Sequence, residues 1–315
     1  MKKGFALVLK IAISILLVYL MIKFTKLDLV KTFEILKASN WFWFGACCLA
    51  TLATMFTNTY RWRLLALQSG YTLSYLEALK MYFEAMFSNN FLPSNFGGDA
   101  WRSYELGRTN KAWLKAASTV IMERLFGFTM MFALMPIAII IMNFSVHKGA
   151  IPEKLVFALW MSFVGMLIFY ASYPLWSRIN WGFVQKIKVT FEEYTGCMNT
   201  MRNVAIWTFI THVFLMASNV FAALAIGIGP SQIPIWYWFI VVPTSILLSF
   251  IIPAVKGASP KETVYITLLG FIGIGSSEAY AIGFLIFLAT LVTTVPGVSI
   301  VFRKNKNPEP EAQDS

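Results

Sequence analysis

The chemistry-bearing residues of this sequence gather in two short stretches. The first runs through Asn89, Asn90, Asn95, Gly97, Gly98, Asp99 and Arg102, with Glu123 and Arg124 following, and the second holds Lys256, Ser259 and Glu262. All lie in or beside apolar runs, where an ionisable side chain is costly to keep and is a functional candidate by default. Pro93, Gly97 and Gly98 interrupt the first stretch, and Pro253 and Gly257 interrupt the second. Proline lacks a backbone donor and glycine admits unusual dihedrals, so each stretch reads as two half-helices with a helix N-terminus at the break. The free N–H groups and the dipole of such an end attract anions. With Arg102 and Lys256 close by in sequence, the two breaks predict an anion-attracting centre, and the candidate substrate-binding set is Asn90, Asn95, Gly97, Gly98, Asp99, Arg102, Glu123, Arg124, Lys256, Ser259 and Glu262.

Each candidate also has a purely structural role open to it. Asp99 and Ser259 can cap the helices that follow them, and Glu262, three residues after Ser259 with Pro260 between, completes a capping box. The asparagines can satisfy hairpin carbonyls, and the glycines can serve close packing. Glu123 and Arg124 can neutralise each other, or pair with Lys80 or Glu84 of the first hairpin. Arg61 and Arg63 stand at a span end, where they are expected to be topology anchors or lipid-headgroup contacts. His212 is a lone imidazole within a span, His147 lies in a loop, and Cys47, Cys48 and Cys197 have no metal-ligand spacing. Neither a metal nor a cofactor is expected.

The elements that must position these residues are membrane helices. Hydrophobic residues make up 58% of the 315 positions and charged residues 13%, and the mean hydropathy is +0.66, which excludes an ordinary water-soluble domain. Runs long enough to cross about 30 Å of hydrocarbon lie near 5–25, 41–66, 118–142, 155–173, 203–228 and 280–301. Runs near 75–91 and 237–275 are the interrupted ones, expected to re-enter the face they came from. The segment 174–202 mixes aromatic with charged residues and is expected to lie along the membrane surface.

With a cytoplasmic N-terminus, only Lys23, Lys26, Lys31, Lys37, Lys148, Lys154, Lys256 and Lys261 of the 26 Lys and Arg fall outside. That bias is what the positive-inside rule expects, and it accounts for the net charge of +11 without invoking nucleic acid. The interrupted segments superpose at an offset of 160 residues, Pro93 on Pro253 and Gly97 on Gly257, and the same offset carries the flanking spans onto one another. The expected fold is therefore an all-α polytopic membrane protein. It has one transmembrane domain over 1–302, built as an inverted repeat of units at about 41–142 and 201–302, and a short polar cytoplasmic tail at 303–315.

The run from Asn90 to Arg102, NFLPSNFGGDAWR, followed by Arg108, Lys111 and the ASTVIMER segment ending at Arg124, resembles the lysylphosphatidylglycerol synthase transmembrane-region family. Those flippase-like proteins include the N-terminal membrane domain of the multiple peptide resistance factors. In the second copy Pro253, Gly257 and Glu262 follow the family's pattern, while Ala258 and Lys261 depart from it. The resemblance implies lipid translocation. The aminoacylating members carry a large soluble domain after the membrane region, so the synthase reaction is not expected of a chain that ends at Ser315.

Two functions compete on these grounds. The first is a lipid flippase or transporter in a bacterial inner membrane, moving an anionic phospholipid or a polyprenyl-phosphate-linked lipid. The second is a membrane-embedded enzyme, or a subunit of one, in envelope glycolipid or polysaccharide synthesis, with Asp99 or Glu123 as general base. A non-catalytic assembly role is a third. The expected partners are membrane lipids and a lipid-modifying enzyme or glycosyltransferase.

Overall fold

The computed structural model describes residues 28–91, 97–108, 112–178, 188, 192, 194, 196–251 and 260–300. The protein is an all-α polytopic membrane protein, with no strand among the described residues. Its helices are α1 Leu29–Lys37, α2 Trp41–Gln68, α3 Tyr75–Phe91, α4 Gly97–Arg108, α5 Trp113–Asn143, α6 Glu153–Ala171, the single turn α7 Tyr173–Trp176, α8 Met198–Ala225, α9 Trp238–Ile251, α10 Pro260–Gly270 and α11 Ser276–Thr293.

Among the described residues, four helices are long and apolar enough to cross a membrane: α5, α6, α8 and α11. The expected span at 5–25, the tail at 303–315 and most of the surface segment at 174–202 lie outside the described residues. Helix α2 has the length, 28 residues, but Asn58, Arg61 and Arg63 dilute its apolar character. Thr51, Thr54, Thr57 and Thr59 of α2 each return their hydroxyl to the carbonyl four residues back, at 2.8–3.0 Å. Such internal bonds let polar residues sit at a depth where no water satisfies them.

The element order long helix, half-helix, half-helix, long helix occurs twice, as α2–α5 and as α8–α11. Helix α3 ends at Phe91 and α4 begins at Gly97, while α9 ends at Ile251 and α10 begins at Pro260; the expected breaks between them lie outside the described residues. Helices α2 and α8 pack along their length, with Trp43 stacked on Phe221 at 5.8 Å and the Thr211 hydroxyl donating to that of Thr57 at 2.9 Å. The units also exchange their ends. The last turns of α5, through Met135, Ile139 and Met142, join the buried cluster around Tyr237, Ile240 and Val241 at the start of the second hairpin. In return the 3₁₀ segment Val295–Ile300 lies on α3 of the first hairpin. Gly297 makes that approach possible, because a β-carbon there would run into the carbonyl oxygen of Phe83.

Candidate functional site

Sequence order alone would leave the charges of the first unit scattered over three helices, yet the fold joins them into one chain. Arg61 of α2 places Nη2 3.1 Å from Oε1 of Glu123 on α5. The other oxygen of Glu123 accepts from Nη1 of Arg102 on α4 at 2.7 Å, and Nη2 of Arg102 reaches Oδ1 of Asp99 at 2.8 Å. Asp99 is then gripped on both oxygens by Arg124, from Nε and Nη2, each at 2.9 Å. The order Arg61–Glu123–Arg102–Asp99–Arg124 alternates in sign and begins and ends on a cation.

Burial makes this arrangement consequential. Glu123 is 1% exposed and Arg102 is fully buried, while the Arg124 side chain is about a third exposed at 32%. Arg124 is thus the most exposed member of the chain. The Arg102 guanidinium lies 4.6 Å from the ring of Tyr82 and 4.9 Å from that of Trp62, an aromatic box that compensates a desolvated cation through its π faces. The Trp62 indole is itself fixed by Nε1–H donating to Thr119 Oγ1 at 3.0 Å. Arg61 is held from the other side by Thr208 Oγ1 of α8 at 3.3 Å. Within this polar nest the Nε–H groups of Arg61 and Arg102 are buried and have no acceptor among the described residues.

The local backbone explains why α4 can present Asp99 and Arg102 in this way. Gly98 packs so tightly on α3 that a β-carbon would strike the carbonyl oxygen of Ala85. Its amide donates to Oδ1 of Asn89 at 2.7 Å. Asn89 therefore does the work of a helix cap, and Asp99, one residue further in, bridges two arginines. The capping role open to Asp99 in the sequence is not the one it takes. Asn90, for its part, donates from Nδ2 to Thr294 Oγ1 at 2.7 Å, a tie to the exchanged end of the second unit. Glu84 is fully buried and accepts from Trp101 Nε1 at 3.3 Å and from Ser299 Oγ at 3.1 Å.

Arg61 is where the sequence reading goes astray. Expected as an anchor reaching toward headgroups, it is 5% exposed and pairs with Glu123. Arg63 is spent on its own neighbourhood, donating from Nε to the carbonyl of Leu73 at 2.8 Å. A helix turns about 100° per residue, so positions 61 and 63 point about 160° apart and cannot both face the surface. That spacing was the available signal. Trp62 and Tyr82 carried none, since an aromatic box exists only once three helices meet. Glu123 finds its partners in Arg61 and Arg102 instead of the weighed Lys80 or Glu84.

Of the second set, Lys256 and Ser259 lie outside the described residues, as does Asn95 of the first. Glu262 is 1% exposed on α10. A β-carbon on Gly283 would lie 3.5 Å from its Cγ, so position 262 sits beside position 283 just as 102 sits beside 123, at the same offset of 160. The chemistry differs, however. Tyr265 donates its hydroxyl to Oδ1 of Asn219, and the Lys261 ammonium stands 5.5 Å from the Tyr265 ring centroid. Among the described residues no group of three or more His, Cys, Asp or Glu could hold a metal ion.

A sequence profile described as the lysylphosphatidylglycerol synthase TM region matches residues 7–297. The chain belongs to that family. A UPF0104 membrane protein from Archaeoglobus fulgidus is 25% identical over 139 residues, which are 44% of this chain and 42% of that protein. The match thus spans about two fifths of that relative's own length. No solved structure matches. The region matched to the lysylphosphatidylglycerol synthase transmembrane family contains the whole arginine chain and helices α1 to α11.

Proposed function

We propose that this protein is a lipid transporter, moving an anionic phospholipid or a polyprenyl-phosphate-linked lipid across a bacterial inner membrane without changing it covalently. The observation that carries this reading is the sign of the buried chain: three guanidinium groups against two carboxylates, with two Nε–H donors unpartnered. Moving a phosphate unaided into hydrocarbon strips its hydration at a cost on the order of several kcal/mol. A surplus cation surrounded by fixed donors replaces part of that hydration, and Arg124, the exposed end, is the natural first contact. The phosphate would take over acceptor positions that Asp99 now fills. An inverted relation between the two units would supply the two faces that alternating access requires; it belongs to this proposal, and so do cytoplasmic termini.

The enzyme reading has less in its favour. A general base needs a carboxylate whose lone pairs are available to a proton, and Asp99 and Glu123 are each engaged by two guanidinium groups. The test is dithionite quenching of fluorescent phosphatidylglycerol, phosphatidylcholine and polyprenyl phosphate in liposomes holding the full chain. Faster movement of an anionic lipid than in empty liposomes, reduced by Arg124→Ala, is the expected result. Equal rates with and without protein for all three lipids would refute it.

A further inference from the structure

One buried group beside the arginine chain is left over by the transport reading. His212 of α8 is 2% exposed. Its Nδ1 lies 2.7 Å from the carbonyl oxygen of Thr208, and a carbonyl can only accept, so Nδ1 carries the proton and Nε2 is a bare lone pair. That Nε2 is buried with no partner. Thr208 is gripped from both ends, since its hydroxyl receives Arg61 Nη1 at 3.3 Å. A single residue, Thr208, therefore separates the imidazole from Arg61, the end of the arginine chain opposite Arg124.

We propose that His212 takes up a proton in step with an anion at the arginine chain, so that headgroup binding is proton-linked. The proposal rests on the anion-binding reading above. Arg61 of α2 bonds Thr208 one turn before His212, with Glu123 behind it on α5, and α9 carries no titratable side chain. Glu278 and Tyr280 are the titratable groups of α11, and Tyr265 of α10 meets α8 at Asn219, about two turns away. Among these groups, the charge tied closest to His212 along α8 is thus Arg61, through Thr208. Empty, it carries one surplus positive charge, and a second on His212 is repelled. A bound phosphodiester cancels the net surplus and weakens that repulsion. By reciprocity the proton then strengthens the hold on the anion by the same factor. If one proton accompanies each anion, affinity tightens by up to about tenfold per pH unit lowered.

Calorimetric titration of the purified full chain with dioctanoyl phosphatidylglycerol, in buffers of different ionisation enthalpy, counts protons taken up per lipid bound. Between about pH 4 and about pH 6.5, the native protein should take up as much as about one proton per lipid, with affinity rising as pH falls. His212→Gln should bind without proton uptake and with an affinity flat in pH; His212→Asn replaces it if that chain fails to fold. Binding by the native protein with no uptake, or the same uptake in the His212 variant, overturns the proton linkage and leaves the anion site standing. Failure of the native protein to bind the lipid at all removes both.

Discussion

Neutralising Glu123 is the sharpest perturbation available. Glu123→Gln preserves shape and one acceptor oxygen but withdraws the charge that Arg61 and Arg102 share at 3.1 and 2.7 Å. Breaking a buried pair by removing one partner costs about 3–5 kcal/mol, because the other charge stays desolvated. Here two guanidinium groups are stranded, and the Trp62–Tyr82 box, worth about 0.5–2 kcal/mol to a cation, is present before and after. The expected loss is therefore at or above about 4 kcal/mol. Adding Arg61→Gln restores the original balance of charge, so the double variant should be less destabilised than the sum of the singles by about 1–3 kcal/mol. Unfolding in mixed dodecylmaltoside and dodecylsulfate micelles, followed by tryptophan fluorescence, measures all four proteins. A Glu123→Gln loss below about 1 kcal/mol, or strict additivity in the double variant, would mean that the chain of charges does not hold the helices together as described.

Three further outcomes follow from single contacts. Arg61→Ala should slow transport in the dithionite assay as much as Arg102→Ala does, while Arg63→Ala stays near the native rate; matched losses at 61 and 63 would restore the anchor reading. Gly98→Val should cost about 1–3 kcal/mol by overpacking and abolish lipid movement in protein that still inserts, since the new side chain must push α4 off Ala85 and pull the Gly98 amide from Asn89; native transport by this variant would show that the hairpin contact is dispensable. The third concerns Lys31 of α1, hydrogen-bonded to Glu278 at 2.8 Å, whose carboxylate bond and negative charge raise the lysine above its ordinary value. A raised lysine contributes stability below its unfolded pKa of about 10.4 and loses it as pH rises through the folded value. Amine-directed labelling of Lys31 near about pH 10 should therefore speed up in Glu278→Gln, and unchanged labelling would dismiss the pair.

The sequence carried the coarse architecture because lipid leaves so few options: length and hydropathy announce helices, and proline with glycine announces their breaks. It also carried Asp99, Arg102, Glu123 and Arg124, since charges in apolar runs demand an explanation. What it withheld was partnership. Whether Asp99 caps a helix or bridges arginines depended on Asn89 reaching the Gly98 amide first, a contest decided by how closely α4 approaches α3. Arg61 was misplaced because nearness to a span end was weighed above the angular separation from Arg63. Trp62, Tyr82 and Thr208 gave no hint at all, being ordinary residues until three other helices arrive.

The contact of Val295–Ile300 with α3 has a bearing on how the protein is made. Asn90 and the Thr294 hydroxyl it holds are separated by 204 positions, and at roughly 5–20 residues per second the ribosome delivers the second some 10–40 s after the first. Throughout that interval the first hairpin sits in the bilayer with Glu84 lacking the Ser299 hydroxyl and Asn90 lacking Thr294. The nascent protein must therefore be sheltered by insertion machinery or tolerate water beside a half-built helix pair. A premature stop shortly before Val295 would delete no complete span among the described helices. It would leave that early hairpin permanently unfinished, and quality-control proteases would meet the product as an orphan.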